Sequence, residues 1–268
     1  MENHNIREEL QQLKKDVLRI GGQKEIMALV TCLIENEWYD EAHLWLEEGV
    51  NRGYSEAMFV LANCYYEGLG VAESIDRAFL LYEQAAAQNH PDALNNLADM
   101  YLNGEGVEKN ETKAHFYFSR AADLGVEEAM FTLGMMYELA LGVEKDEEIA
   151  LKFYERSALK GYSEAQYRMG QIFFEGLLGN EINLEHAIYW YNEAAMSDNV
   201  DALYSLGYIQ QQGLIGESNL IEALKYYEAA AMLGDLDAGE KMIEIYETLK
   251  MKDMADMWRN QLTEWFSN

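Results

Sequence analysis

Five histidines, two cysteines and a few acidic runs are the residues of this chain that could do acid–base, nucleophilic or metal chemistry. Such chemistry needs the groups to converge at set spacings, as in HExxH or paired CxxC, and neither pattern occurs. A GxSxG elbow and a Walker-type phosphate loop are absent too. His4, His43, His90, His115 and His186 read as variation at helix surfaces, with His43 and His115 at one and the same position of a repeat. Gly104-Glu105-Gly106 has part of the composition of a phosphate loop, but no strand leads into it. The run Glu144, Asp146, Glu147, Glu148 lacks calcium-loop spacing and is expected to favour the start of the next helix. The expectation is no catalytic residue, no metal, no cofactor and no enzyme.

These residues sit in a chain that repeats itself. Marker alanines fall at Ala42, Ala78, Ala114, Ala150, Ala187 and Ala223, so the steps are 36, 36, 36, 37 and 36 residues. A fixed period of this size marks a solenoid of supersecondary units. Counting each marker as zero, positions three and four are large (Leu81/Tyr82, Phe153/Tyr154, Tyr226/Tyr227) and positions seven and eight small (Ala85/Ala86, Ala121/Ala122). That spacing draws one face of a helix. Position eleven is Gly53, Asn89, Gly125, Gly161, Asp198 and Gly234, mostly C-cap residues. A second helix follows, with alanine at fifteen, Leu or Met at nineteen and mostly aromatics at twenty-three. Gly68/Gly70, Gly104/Gly106, Gly176/Gly179 and Gly213/Gly216 then close it. Each unit is expected to be a pair of antiparallel helices.

The stretch Ala121 to Val143, AADLGVEEAMFTLGMMYELALGV, and its counterparts resemble the Sel1-like repeat, a relative of the tetratricopeptide repeat. The resemblance runs from about Ala42 to Met242. The turns at Gly176–Asn180 and Gly213–Glu217 depart from it by lacking the GV ending. It implies an all-α fold, a right-handed α-solenoid of Sel1-like/TPR-like helix-pair repeats with helical caps at both ends. It also implies an adaptor or scaffold without chemistry of its own. The expected organisation is an N-terminal helical cap with a degenerate repeat over 1–41, the solenoid over 42–249, and a C-terminal capping helix over 250–268. The first helix is expected over Asn5–Ile20 with Ile6, Leu10, Leu13, Val17 and Ile20 on its apolar stripe; in the last, Ala255, Trp258, Leu262 and Trp265 share one side.

Charge narrows the partners. The chain carries 48 acidic and 20 basic residues, a formal net charge of −28. Such a field repels phosphates and anionic membranes and favours basic partners. No run is apolar enough to span a bilayer, and the charged start does not resemble a signal peptide. Cys32 and Cys64, two thiols at apolar helical positions, suit a reducing cytoplasm.

The second helices suggest where a partner binds. At about 100° per residue, positions 16, 19, 22 and 23 share the packing side of position fifteen, while 17, 21 and 24 point away. A helix with only a structural role should be polar there. Instead these positions hold Phe59, Asn63, Tyr66, Asn95, Asp99, Phe131, Met135, Tyr167, Gln171, Phe174, Tyr204 and Tyr208. By resemblance to tetratricopeptide arrays this is the concave side, a strip of rings and amides suited to a peptide or a partner's helix. The alternative for the rings is burial between neighbouring helices. Two further functions remain open: an acidic inhibitor or immunity protein that neutralises a toxin or basic enzyme, and a regulatory or assembly subunit of an enzyme complex. No nucleic acid, membrane or oligomeric state is read from the sequence.

Overall fold

The computed structural model describes residues 2–266, apart from the side chains of 2–7, 9 and 266. Those residues form fifteen α-helices and no strand. The chain divides into two compact units, one running to Met136 with Ala140–Glu144, the other holding Tyr137–Leu139 and everything from Lys145.

The first unit contains α1 (Glu2–Arg19), α2 (Gln23–Glu35), α3 (Tyr39–Asn51), α4 (Ser55–Glu67), α5 (Ile75–Ala87), α6 (Pro91–Asn103), α7 (Glu111–Asp123) and most of α8 (Glu127–Leu139). In α1, Leu10 and Val17 are buried and Ile20, beyond its end, is exposed. Ile6 lies outside the described side chains. Leu10 and Val17 pack with Ile26, Leu29 and Leu33 of α2, so the first two helices cover the first repeat.

The second unit contains the last residues of α8, then α9 (Glu147–Leu159), α10 (Ser163–Glu175), α11 (Leu184–Ala195), α12 (Val200–Gln212), α13 (Leu220–Met232), α14 (Leu236–Thr248) and α15 (Lys252–Phe266). Ala255, Trp258 and Leu262 of α15 are buried, with Ala255 and Trp258 in the cluster that holds Met242 and Tyr246 of α14.

The periodic positions account for the core. The position-fifteen alanines are fully buried, and Leu61, Leu97, Leu133, Met169, Leu206 and Met242 at nineteen are at most 4% exposed. The position-four residues Leu46, Tyr82, Phe118, Tyr154, Tyr191 and Tyr227 are buried as well. Each such side chain is worth about 1.5–3 kcal/mol of burial. Position eleven has positive φ in all six copies, from Asp198 at 55° to Gly234 at 101°. The left-handed residue ends each first helix and turns the chain into the second.

One feature of the packing differs from the helix pairs expected. Second helices pack more extensively on the following first helix (α4 on α5, α6 on α7, α10 on α11, α12 on α13) than on the first helix before them. The loops between these closer pairs are tied by one recurrent hydrogen bond, Ser74 N to Tyr65 O at 2.8 Å and Asn110 N to Tyr101 O at 2.7 Å. The two irregular turns keep it, with Asn183 N to Phe173 O at 2.8 Å and Asn219 N to Gln210 O at 2.9 Å. Losing the GV ending therefore changes the loop but not its closure. The acidic run at 144–148 does cap a helix: Asp146 accepts from Ile149 N at 2.9 Å at the start of α9.

Candidate partner-binding site

The close pairing has a chemical consequence. It brings position-four rings against residues at positions 17 to 24 of the helix before them, Tyr82 against Asn63, Tyr191 against Tyr167 and Phe174, and Tyr227 against Tyr204. In the first unit this joins Tyr66 of α4, Tyr82 of α5 and Asn96 of α6. The Tyr82 hydroxyl donates to Asn63 Oδ1 at 2.6 Å. Burial pushes that hydroxyl's pKa up to about 12, with the nearby Asn96 amide opposing the rise. The Tyr66 hydroxyl donates to Glu105 Oε2 at 2.8 Å.

Between these groups lies a cavity of about 240 Å³ walled by Tyr66, Glu67, Tyr82, Asn96, Asp99 and Glu105. A wider depression of about 620 Å³ shares Tyr66, Glu67 and Glu105 with it and adds Glu73 and Ile75. No basic side chain lines either one. Burial, then Glu128 and Glu105, raise the Asp99 carboxyl to about 7. Asn95, 3% exposed, donates through Nδ2 to Asp99 Oδ2 at 3.3 Å and to Glu128 Oε2 at 3.2 Å, while its Oδ1 finds no donor. Carboxylates beside the faces of tyrosine rings are the surroundings that hold a guanidinium or an ammonium.

The second unit fills the same three repeat positions with Glu138, Tyr154 and Arg168. The Tyr154 hydroxyl donates to Glu138 Oε2 at 2.7 Å, and Arg168 forms an ion pair with Glu138. The guanidinium carbon lies 5.9 Å from the centre of the Tyr154 ring, and Gln171 Oε1 accepts from Arg168 at 3.1 Å. Burial and the bond to Glu138 push the Tyr154 hydroxyl well above the usual phenol range.

The twelve residues singled out on the second helices are placed as follows. Tyr66 and Tyr208 are 38% and 40% exposed, Asn95 is buried, and Phe59, Asn63, Asp99, Phe131, Met135, Tyr167, Gln171, Phe174 and Tyr204 are half-buried. Ring contacts explain much of this in each unit. Phe59 stacks on His90 at 4.7 Å, Tyr167 and Phe174 meet Tyr191 at 5.7 and 6.3 Å, and Tyr204 meets Tyr227 at 5.3 Å. A helical wheel places these rings away from their own helix's packing side, but the following first helix lies across them. Some of the amides are also engaged within the protein: Asn63 with Tyr82, and Gln171 with the Tyr167 hydroxyl at 3.1 Å.

Two determinants escape the sequence reading. Position eighteen (Asn96, Arg168) decides what stands beside the buried tyrosine. His90 is not surface variation: it is 7% exposed, caps α6 by accepting from Ala93 N at 3.3 Å, and meets Glu56 at 3.1 Å. The proline that follows it at the first position of α6 was the available signal for a cap. His43 is half-buried, edge-on to Tyr65 at 5.5 Å, and burial lowers its pKa. Among the described residues no group of three or more His, Cys, Asp or Glu side chains is placed to hold a metal ion. No helix among them is long and apolar enough to cross a membrane.

Stacked helix pairs repeating every 36 or 37 residues define a helical-repeat solenoid of the kind that works through its surface. The profile of the Sel1 repeat matches residues 55–90, 91–126, 127–162, 163–199 and 200–235, and the chain belongs to the Sel1 repeat family. Each matched repeat begins at a second helix, and four of the five enclose one of the closer pairs seen in the packing, α4 with α5, α6 with α7, α10 with α11 and α12 with α13. Among solved structures, a Sel1 repeat protein from Oxalobacter formigenes is 26% identical, with a TM-score of 0.79, over 88% of this chain and 98% of that one. The protective antigen c5321 of uropathogenic Escherichia coli is 24% identical, TM-score 0.53, over 96% of this chain and 64% of its own. Immunity protein PA5088 from Pseudomonas aeruginosa is 22% identical, TM-score 0.51, over 78% and 82%. The last two share the fold. No curated protein matches the sequence.

Proposed function

We propose that this protein is an interaction scaffold that holds a segment of a partner protein along its second helices, the segment being basic where it meets α4 and α6. The observation that carries this is the cavity of the first unit. Three carboxylates and two tyrosines line it, no basic side chain answers them, and the whole chain has a net charge of −28. The face extends over the other second-helix residues within each unit, with Tyr66 and Tyr208 its most open rings.

The protein's own net charge also favours a second reading, an inhibitor that neutralises a basic toxin or enzyme through its acidic surface as a whole. Panning an immobilised full-length chain against a peptide display library at low and high salt separates the two. The scaffold reading expects enriched sequences that keep most of their binding at high salt, because rings and desolvated pairs are weakly screened. Enrichment of no sequence at either salt would defeat it. Binding of generic polycations that collapses at high salt favours neutralisation by charge.

A further inference from the structure

We propose that the cavity between α4, α5 and α6 is an arginine-recognition pocket, in which a partner's guanidinium lies between Tyr66 and Tyr82 and pairs with Asp99 and Glu105. The assignment rests on the scaffold reading above and names the chemistry of its partner.

The chain itself carries the template. Position twenty-four of one repeat, with four and eighteen of the next, holds Glu138, Tyr154 and Arg168 in the second unit. There an arginine from within the fold pairs with the carboxylate, beside the tyrosine ring. The same positions in the first unit are Tyr66, Tyr82 and Asn96. Asparagine is several atoms shorter than arginine, and the cavity lies beside it. Around that space the first unit gathers Glu67, Asp99 and Glu105. Among the described residues none of the three takes part in an ion pair: Lys109 goes to Glu111, Arg52 to Glu48 and Arg77 to the Tyr65 hydroxyl. Asn95, buried beside Asp99 with Oδ1 lacking a donor, is not among the residues that wall the cavity.

Arginine suits this site better than lysine. A planar guanidinium can lie against a ring and pair with two carboxylates at once, whereas an ammonium is a compact, strongly hydrated point charge. The wider depression beside the cavity, with Glu73 and Ile75, leaves room for the chain that carries the arginine. The groups facing Asp99 are Tyr66 and Glu67 from α4, Tyr82 from α5, Asn95 and Asn96 on its own helix, Glu105 just after it, and Glu128 from α8. None of them is a cation. Because Asp99 titrates near neutrality, an incoming guanidinium must hold it ionised, so binding strengthens from pH 6 to pH 8.

The probe is N-acetyl-arginine amide, a single cation, titrated into the full-length ¹⁵N-labelled chain with N-acetyl-lysine amide in parallel. The expected result is a set of shift changes confined to α4, α5, α6 and the 104–106 turn, with arginine binding more tightly. Asp99→Asn with Glu105→Gln should weaken it roughly tenfold or more, and Asn96→Arg, which supplies an internal guanidinium, should abolish it. Circular dichroism checks that each variant is folded; Asp99→Asn alone, which removes a disfavoured buried charge, serves if the others are not. Changes spread evenly over the acidic surface, equal response to lysine and arginine, or unaltered binding in Asn96→Arg would overturn the pocket. The two proposals fail separately. Display peptides that are enriched but bind wild type and Asn96→Arg alike leave the scaffold and remove the pocket. Arginine-amide binding in the cavity with no peptide enriched does the reverse.

Discussion

Asp99 in the first unit and Glu138 in the second are both half-buried carboxylates on second helices beside a buried position-four tyrosine, and they are answered differently. Glu138 meets Arg168 and the Tyr154 hydroxyl, so its charge is matched within the fold. Asp99 meets only the Asn95 amide on one side and other carboxylates around it, and its pKa rises to about 7. Both acids lie on thirteen-residue second helices that end in a left-handed residue. The two acids hold different repeat positions, Asp99 twenty-one and Glu138 twenty-four of the preceding copy, so positions eighteen, twenty-one and twenty-four together set whether a copy pairs its own acid or presents it. A helical repeat can thus keep its framework constant while changing, copy by copy, which sites are closed and which face outward.

The largest effect is expected from opening the closed site. Arg168→Asn gives the second unit the position-eighteen residue of the first and leaves Glu138, whose side chain is 20% exposed, without its cation. Breaking a pair of this burial by removing one partner should cost about 2–4 kcal/mol, somewhat below a fully buried pair. Urea denaturation of Arg168→Asn, Glu138→Gln and the double variant gives the coupling energy directly. A coupling near zero would mean that the two sites do not differ in the way described. If the comparison holds, Arg168→Asn should also take up N-acetyl-arginine amide in the second unit, with partial recovery of its melting temperature.

The seat of the ring comes next. In the second unit two of the position-four tyrosines lie over glycines, Tyr191 over Gly170 and Tyr227 over Gly207, and a Cβ at Gly207 would stand 2.8 Å from Tyr227 Cδ1. In the first unit the equivalent positions are Ala62, Ala98 and Gly134, all buried. Gly207→Ala should therefore destabilise by about 1–3 kcal/mol, through overpacking that outweighs alanine's better helix propensity. The measurement is thermal unfolding. A neutral or stabilising result would show that the ring shifts freely, and that glycine there is not a seat.

Much of this was legible in the sequence, and the part that was not has a physical reason. Ala57, Leu61 and Tyr65 lie at steps of four, and periodicity alone places them on the packing side, where Ala57 and Leu61 are buried and Tyr65 half-buried. Gly53 and Asn89 announce their left-handed turns by residue type. Phe59 and Tyr204 are a different case. A wheel knows only the axis of one helix, so it puts them on a free face, and only the fold shows Tyr82 and Tyr227 lying across them. The cavity needs Tyr66, Tyr82 and Asn96 side by side, although they are spread over three helices. The readable signal was comparative: arginine at position eighteen goes with glutamate at twenty-four of the preceding copy, and asparagine goes with tyrosine.

The smallest and most diagnostic effect concerns pH. A carboxyl whose folded-state pKa is raised favours the folded state fully below its unfolded value, near 4, and loses that contribution as pH rises through about 7. At pH 8 Asp99 is ionised among Glu128 and Glu105 in a largely buried place, which works against folding. Asp99→Asn removes that charge, so the variant should be more stable than wild type at pH 8, by roughly 1 kcal/mol after screening is allowed for. The advantage should shrink towards pH 5, where wild type carries a neutral carboxyl instead. Glu138→Gln is expected to do the opposite at pH 8, because it strands Arg168 instead of relieving a repulsion. Chemical denaturation of both variants from pH 5 to pH 8 reads the two signs side by side. If both variants lose stability at pH 8, Asp99 is already balanced within the fold, and neither the contrast between the units nor the guanidinium it invites would stand.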